Sequence, residues 1–126
     1  RLKIIDDESS VPDVLKQAGF EVLETARSFE AGRALLAKGK PEGVTILVDN
    51  RLGDEEFGTD LIAEQPLRSG VLLCTNDYDN LDVIARVRKI GVKILPKPIC
   101  FSKVYEAQAK AAKHHHEAPG QMDAPL

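Results

Sequence analysis

The chain has no tryptophan, two cysteines, one methionine and 5% aromatic residues. Cys74 and Cys100 show neither a CxxC pair nor the His/Cys spacing of a zinc site. Both stand beside apolar residues and read as buried free thiols of a reducing compartment. The expected location is therefore cytoplasmic. Long apolar runs are missing as well. The longest, Val71-Leu72-Leu73-Cys74, is far short of the roughly 18 residues a membrane span requires. No basic, then apolar, then small-residue leader is present, and because the first residue is Arg1 rather than Met, a segment upstream stays open. One-sided charge is also lacking. Lys and Arg number 17 against 20 Asp and Glu, a net charge of −3, and the basic residues form no strong cluster. A phosphate-backbone binder needs a basic face, so no nucleic-acid role is expected within these residues. What remains is a chain of 126 residues, 29% charged and 43% hydrophobic. That is the mix of one soluble globular domain able to bury a core, not of a disordered acidic tail.

Short apolar runs alternate with helical periodicity along the chain. Strands are expected at Leu2 to Ile5, Phe20 to Leu23, Val44 to Val48, Val71 to Cys74 and Val92 to Leu95. Helices are expected at Val11 to Ala18, Ser28 to Lys38, Thr59 to Gln65, Asn80 to Ile90 and Ser102 to Lys113. Ser28 and Ser102 are candidate N-caps, and Gly19, Gly39 and Gly91 are the stops. A Gly- and acid-rich loop is expected from Asp49 to Gly58. Five strands alternating with five helices imply an α/β fold: a doubly wound parallel sheet, helices on both faces, right-handed crossovers. The flavodoxin-like strand order 2-1-3-4-5 suits this length. The domain is expected to span 1–113. His114 to Leu126 lacks periodicity and reads as a flexible tail, its three histidines an incidental run.

In such a sheet the site lies at the carboxyl ends of the strands. Asp6, Asp7 and Glu8 follow strand one. Asp49, Asn50 and Arg51 follow strand three. Thr75, Asn76 and Asp77 follow strand four, and Lys97-Pro98 follows strand five. Close carboxylates repel, and a hard divalent cation such as Mg²⁺ resolves the repulsion through oxygen ligands. A carboxylate is also a nucleophile that forms an aspartyl-phosphate. The transferred group then needs neutralisation by metal, lysine and hydrogen-bond donors. Asp49, at the end of the central strand, is the best placed nucleophile; Lys97 supplies a cation and Thr75 a hydroxyl. Taken singly, each residue has a plainer reading: Asp6-Asp7 a capping pair, Asp49-Asn50 a solvated turn, Thr75 a helix cap, Lys97 a surface lysine. Glu8, Asp54, Glu55 and Glu56 read as solvated loop charges.

Four segments together carry a resemblance: Ile4-Ile5-Asp6-Asp7-Glu8, Ile46-Leu47-Val48-Asp49, Leu72-Leu73-Cys74-Thr75 and Leu95-Pro96-Lys97-Pro98. The chain resembles the receiver domain of two-component response regulators and hybrid histidine kinases from about Leu2 to Lys113. The resemblance implies a phosphorelay switch rather than a conventional enzyme. Asp49 would accept a phosphoryl group from a phosphohistidine of a sensor histidine kinase or histidine phosphotransfer protein. Asp7 and Asp49 would ligate Mg²⁺ directly, the backbone carbonyl of Arg51 would be a third ligand, and Asp6 would act through a water. Thr75 and Lys97 would contact the phosphoryl oxygens, and Lys97–Pro98 would be a cis peptide. The face of helix four, strand five and helix five would be a signalling or homodimer surface.

Two positions depart from the family pattern. Ile94 stands where an aromatic switch residue is usual, and Asn76 replaces a small residue after the threonine. Asn76, Asp77 and Arg51 are expected to tune dephosphorylation at the site entrance. These departures and the tail point toward a receiver attached to a hybrid histidine kinase. Helix four is unusually apolar: Leu81, Val83, Ile84, Ala85, Val87 and Ile90 surround a stripe of Asp82, Arg86 and Lys89, which is either ordinary packing or an exposed partner patch. Two other classes stay open. A degenerate receiver would act as a phosphate-independent interaction module. A dehalogenase-type phosphatase would want an Asp where Arg51 stands. A flavin carrier lacks its phosphate loop and a stacking Trp.

Overall fold

The computed structural model describes residues 1–39, 42–66 and 68–116. In chain order the elements are β1 (Leu2–Ile5), α1 (Ser10–Gln17), β2 (Val22–Ala26), α2 (Phe29–Ala37), β3 (Thr45–Asp49), β4 (Arg51–Gly53), β5 (Glu56–Phe57), α3 (Gly58–Ala63), β6 (Val71–Thr75), α4 (Leu81–Ile90), β7 (Lys93–Pro96) and α5 (Phe101–His116). Five strands pair in parallel in the order β2-β1-β3-β6-β7. With β6 and β7 as the fourth and fifth strands of the sheet, this is the expected 2-1-3-4-5 arrangement. Strand alternation divides the core. Ile5, Ile46, Val48 and Leu73 pack with Phe29, Leu35, Leu61, Val83 and Val87 of α2, α3 and α4. Leu2, Ile4, Leu47, Cys74 and Leu95 pack with Leu15 of α1 and Val104 of α5 on the other face. Strands buried on both faces need continuous apolar runs, which is why β1, β3 and β6 read so plainly.

The helix ends follow local chemistry. The Ser28 hydroxyl accepts the Ala31 N–H at 3.1 Å, and the Asn80 side chain accepts from Asp82 and Val83 at 2.9 and 3.2 Å. Gly91 closes α4 in the left-handed region, at φ +74°.

Several expectations need correction. β2 lies at Val22–Ala26, not Phe20 to Leu23. Phe20 belongs to the corner instead: its N–H bonds Leu15 O at 3.1 Å and its ring stacks on Tyr105 at 4.3 Å. β2 is an edge strand, so its polar residues do not disqualify it; Glu24 pairs with the buried Lys3 of β1 at 3.4 Å and with Lys38 at 2.6 Å. The segment after Asp49 is not a bare loop, because Arg51 and Gly53 pair antiparallel with Phe57 and Glu56. Cys100 is exposed rather than buried. α5 begins at Phe101, so Ser102 lies inside its first turn, where its hydroxyl meets the Cys100 thiol at 3.1 Å. The helix also runs on through His116, past the expected boundary at Lys113. The rest of the expected tail, 117–126, lies outside the described residues.

One glycine fixes where the end of β3 meets α3. The Gly58 N–H donates to Asn50 O at 2.7 Å. A Cβ on Gly58 would lie 2.3 Å from the Asp49 carbonyl oxygen and 3.0 Å from Val48 Cγ1. The obstacle is backbone and cannot rotate away. Gly58→Ala should therefore cost about 2–3 kcal/mol in urea unfolding at neutral pH; a loss under about 0.5 kcal/mol would show that this approach has slack.

Candidate functional site

Four of the five strands deliver a polar group to the same end of the sheet. Asp6 follows β1 and is 3% exposed. Asp49 closes β3, Thr75 closes β6, and Lys97 comes one residue after β7. Carboxylate oxygens of Asp6, Asp7 and Asp49 all lie within 4.8 Å of one another, the one such carboxylate group among the described residues. Lys97 Nζ sits between two of them, 3.0 Å from Asp6 Oδ2 and 3.2 Å from Asp49 Oδ1. All three side chains are shielded: Lys97 is 13% exposed, Asp49 12% and Asp6 3%. Low exposure makes both the attraction and the repulsion stronger than they would be in water.

The supporting hydrogen bonds are local. Asp6 Oδ1 accepts the Glu8 N–H at 2.9 Å, which turns the chain away from β1 and leaves Asp7 exposed beside it. Thr75 Oγ1 accepts the Asp77 N–H at 2.9 Å, a bond that uses its acceptor side and not its O–H. The Lys97 N–H bonds Thr75 O at 3.0 Å, tying the lysine segment to β6. Lys97–Pro98 is cis, as expected.

These contacts set the charges. Burial pushes the Asp49 carboxyl up, the nearby Asp6 charge pushes it further, and Lys97 only partly offsets both, leaving it at about 6. Burial alone would lower the Lys97 ammonium, but its hydrogen bond to Asp6 and the charges of Asp49 and Asp6 outweigh it, so it is raised. Burial also pushes the Cys74 thiol well above its ordinary value, which makes it inert at neutral pH. Three close oxygens of this kind match the donor set of a hard divalent cation.

The rim differs from the centre. Arg51 is mostly exposed and its Nε lies 3.9 Å from Asp77 Oδ2. Its guanidinium also lies 5.8 Å from the Phe57 ring centre, and Arg86 of α4 lies 5.6 Å from the same ring. Sequence reasoning passed over Phe57, because Arg51 meets it only through the short β4–β5 pairing and Arg86 comes from α4. Asn76 is exposed at the entrance. Ile94 is half-buried and packs on the α2–α3–α4 side of the core. Glu8, Asp54, Glu55 and Glu56 are exposed, as expected. In α4, Val83 and Val87 are buried, Ile84 and Ile90 half-buried, and Ala85 and Leu81 exposed, Leu81 at 80%. Most of the apolar excess of that helix is thus ordinary packing.

No protein-family model matches the sequence, and no curated relative matches it. Solved structures do. The chain is 27% identical to an adenylate cyclase structure from Rhodopirellula baltica, covering 91% of this chain and 88% of that one, with a TM-score of 0.69. It is 25% identical to a CheY-like response regulator receiver domain protein from Methanospirillum hungatei JF-1, covering 90% and 97% with a TM-score of 0.71. A response regulator from Burkholderia pseudomallei, solved with a phosphorylated aspartic acid, a calcium ion and citrate, is 24% identical over 99% and 75% with a TM-score of 0.65. No described helix is long and apolar enough to cross a membrane. With this strand order and these neighbours, the chain has the fold of response-regulator receiver domains.

Proposed function

We propose that the chain is a phosphorylation-dependent switch of a two-component phosphorelay, with Asp49 as the phosphoacceptor. The observation that carries this reading is Lys97 Nζ bridging Asp6 and Asp49 at 3.0 and 3.2 Å beside Asp7. The donor is a phosphohistidine of a sensor histidine kinase or histidine phosphotransfer protein. An Asp49 carboxylate oxygen attacks phosphorus, the N–P bond breaks, and the imidazole leaves with the electron pair. Lys97 turns from the carboxylates to the incoming phosphoryl oxygens, and the Thr75 O–H donates to them. Asp7, Asp49, the Arg51 carbonyl and, through a water, Asp6 would hold Mg²⁺, which supplies charge neutralisation of the phosphoryl oxygens. The phosphoaspartate and calcium of the Burkholderia pseudomallei neighbour support an acidic edge of this type. Arg51 and Asp77, loosely paired across the entrance, with exposed Asn76, govern the access of water to the acyl phosphate. The α4–β7–α5 face, with Leu81 exposed, is the surface offered to a partner or a second copy. The location proposed is the cytoplasm.

The first test is intact mass after incubation with Mg²⁺ and acetyl phosphate, beside Asp49→Asn. Wild type should gain one phosphoryl group and the variant none. No gain, repeated with a phosphorylated kinase as donor, would leave a phosphate-independent interaction module. Asn76→Ala should change the half-life of the phosphorylated protein, and an unchanged half-life would remove Asn76 from the water-access role.

The raised Asp49 pKa also has a stability consequence. Between its ordinary value of 3.8 and about 6, the folded protein binds more protons than the unfolded one, so stability falls as pH rises through this window. Above pH 6 the penalty is complete and is at most about 3 kcal/mol. In metal-free buffer, Asp49→Asn should therefore be the more stable protein at pH 7.5, and its advantage should close as pH drops toward 4. Thermal unfolding across that range checks this; equal stability at neutral pH would contradict the repulsion.

A further inference from the structure

The acidic edge occupies one end of the sheet. Toward the other end lies a groove of about 520 Å³ between α5 and the β6–β7 flank. Gln108 Nε2 donates to Arg1 O at 2.7 Å and the Tyr105 hydroxyl donates to Ala18 O at 3.2 Å, which ties the helix toward β1 and α1. The flank it leaves open has an apolar floor of Leu72 and Leu95, with Ala107 on the helix wall.

Cations surround that floor. Lys93 comes from β7, and Lys103 and Lys110 from α5, all exposed and none with a carboxylate partner among the described residues. Glu106 is the single acid of the lining among the described residues. Arg68 also lines the groove, but its guanidinium is committed to the carbonyls of Ala63, Gln65 and Ile90. Thr45 also contributes to the lining, with its hydroxyl itself buried beneath the floor.

We propose that this groove binds an amphipathic organic anion. Its apolar body lies on Leu72 and Leu95, and its carboxylate, sulfonate or phosphate head lies among Lys93, Lys103 and Lys110. A bare inorganic anion would leave the apolar floor unused. A nucleic acid is disfavoured by the net charge of −3 and by Glu106 in the wall. The volume lies within the range of small-molecule sites, about 300–1,000 Å³. The site is separate from Asp49 and does not rest on the phosphorelay reading.

The probe is 8-anilinonaphthalene-1-sulfonate, an aromatic body with one anionic head, titrated by fluorescence into the folded chain. One molecule should bind per chain with a rise in emission. Decanoate should displace it, and inorganic phosphate at the same concentration should not. Lys103→Glu with Lys110→Glu changes only exposed helix positions and should weaken binding at least about tenfold with an unchanged circular dichroism spectrum. Ala107→Phe, which fills the groove and keeps its charges, should abolish binding. Leu81→Ser and Asp49→Asn should leave binding intact. The proposal is overturned if the probe does not bind, if the double variant binds it as wild type does, if Leu81→Ser removes binding, or if phosphate alone displaces the probe.

Discussion

Three carboxylates within 4.8 Å of one another would push themselves apart without a cation among them. In this chain the cation is Lys97, and much of the fold can be read as what it takes to put that ammonium there. β7 must pair beside β6 so that Lys97 emerges next to Thr75, and its N–H bonds the Thr75 carbonyl at 3.0 Å. β1 and β3 must run side by side so that Asp6 and Asp49 leave the sheet as neighbours, which their register, Ile5 opposite Val48, provides. α3 must then turn back against the end of β3 within 2.7 Å, and only glycine fits at Gly58. The arrangement is balanced rather than relaxed. Asp49 titrates at about 6 because burial and Asp6 oppose its charge more than Lys97 favours it. A carboxylate held in that condition gains whenever further positive charge arrives, or when a group carrying its own cation joins it.

The strand order was legible because burial on both faces forces unbroken apolar runs, and those runs end abruptly in the residues of the candidate site. Asp6-Asp7 after Ile4-Ile5, Asp49 after Ile46-Leu47-Val48 and Thr75 after Leu72-Leu73-Cys74 are strand ends as much as motif residues. The same logic failed where burial is one-sided. β2, at the sheet edge, contains Glu24 and Thr25, and the apolar Phe20 drew the expected strand two residues toward the preceding helix. Phe20 is apolar for another reason, its stack on Tyr105. β4 and β5 escaped notice because three and two residues hold no periodicity, and the reversal between them depends on Gly53 and on Glu55 at φ +57°, local conformations rather than patterns. Cys100 was misplaced by its apolar neighbours. It sits just after the segment that carries Lys97, where the chain passes at the surface into α5.

The site centre was legible and its rim was not, for the same physical reason. Central residues are fixed by the sheet, so their meeting follows from topology alone. Rim residues meet through side chains reaching across loops. Arg51 was singled out for its place after Asp49, yet its exposed guanidinium also reaches Asp77 and Phe57. Phe57 in turn lies under Arg86, a residue read from sequence only as one member of a polar stripe on helix four.

That contact bears on how a change at Asp49 could be felt at α4. With Ile94 in place of an aromatic, β7 offers a side chain without a ring, half-buried against the core and lacking a polar tip to follow Thr75. On the other flank Arg51, two peptide units from Asp49, lies against the Phe57 ring, and Phe57 lies against Arg86 on α4. Each cation–π contact is worth about 0.5–1 kcal/mol at such exposure, comparable to the energies that shift a two-state population severalfold. Both contacts also share one ring. New negative charge at Asp49 would draw on Arg51 as well as Lys97, against the hold of Phe57 and Asp77, and the ring that Arg51 shares with Arg86 would then face one cation fewer.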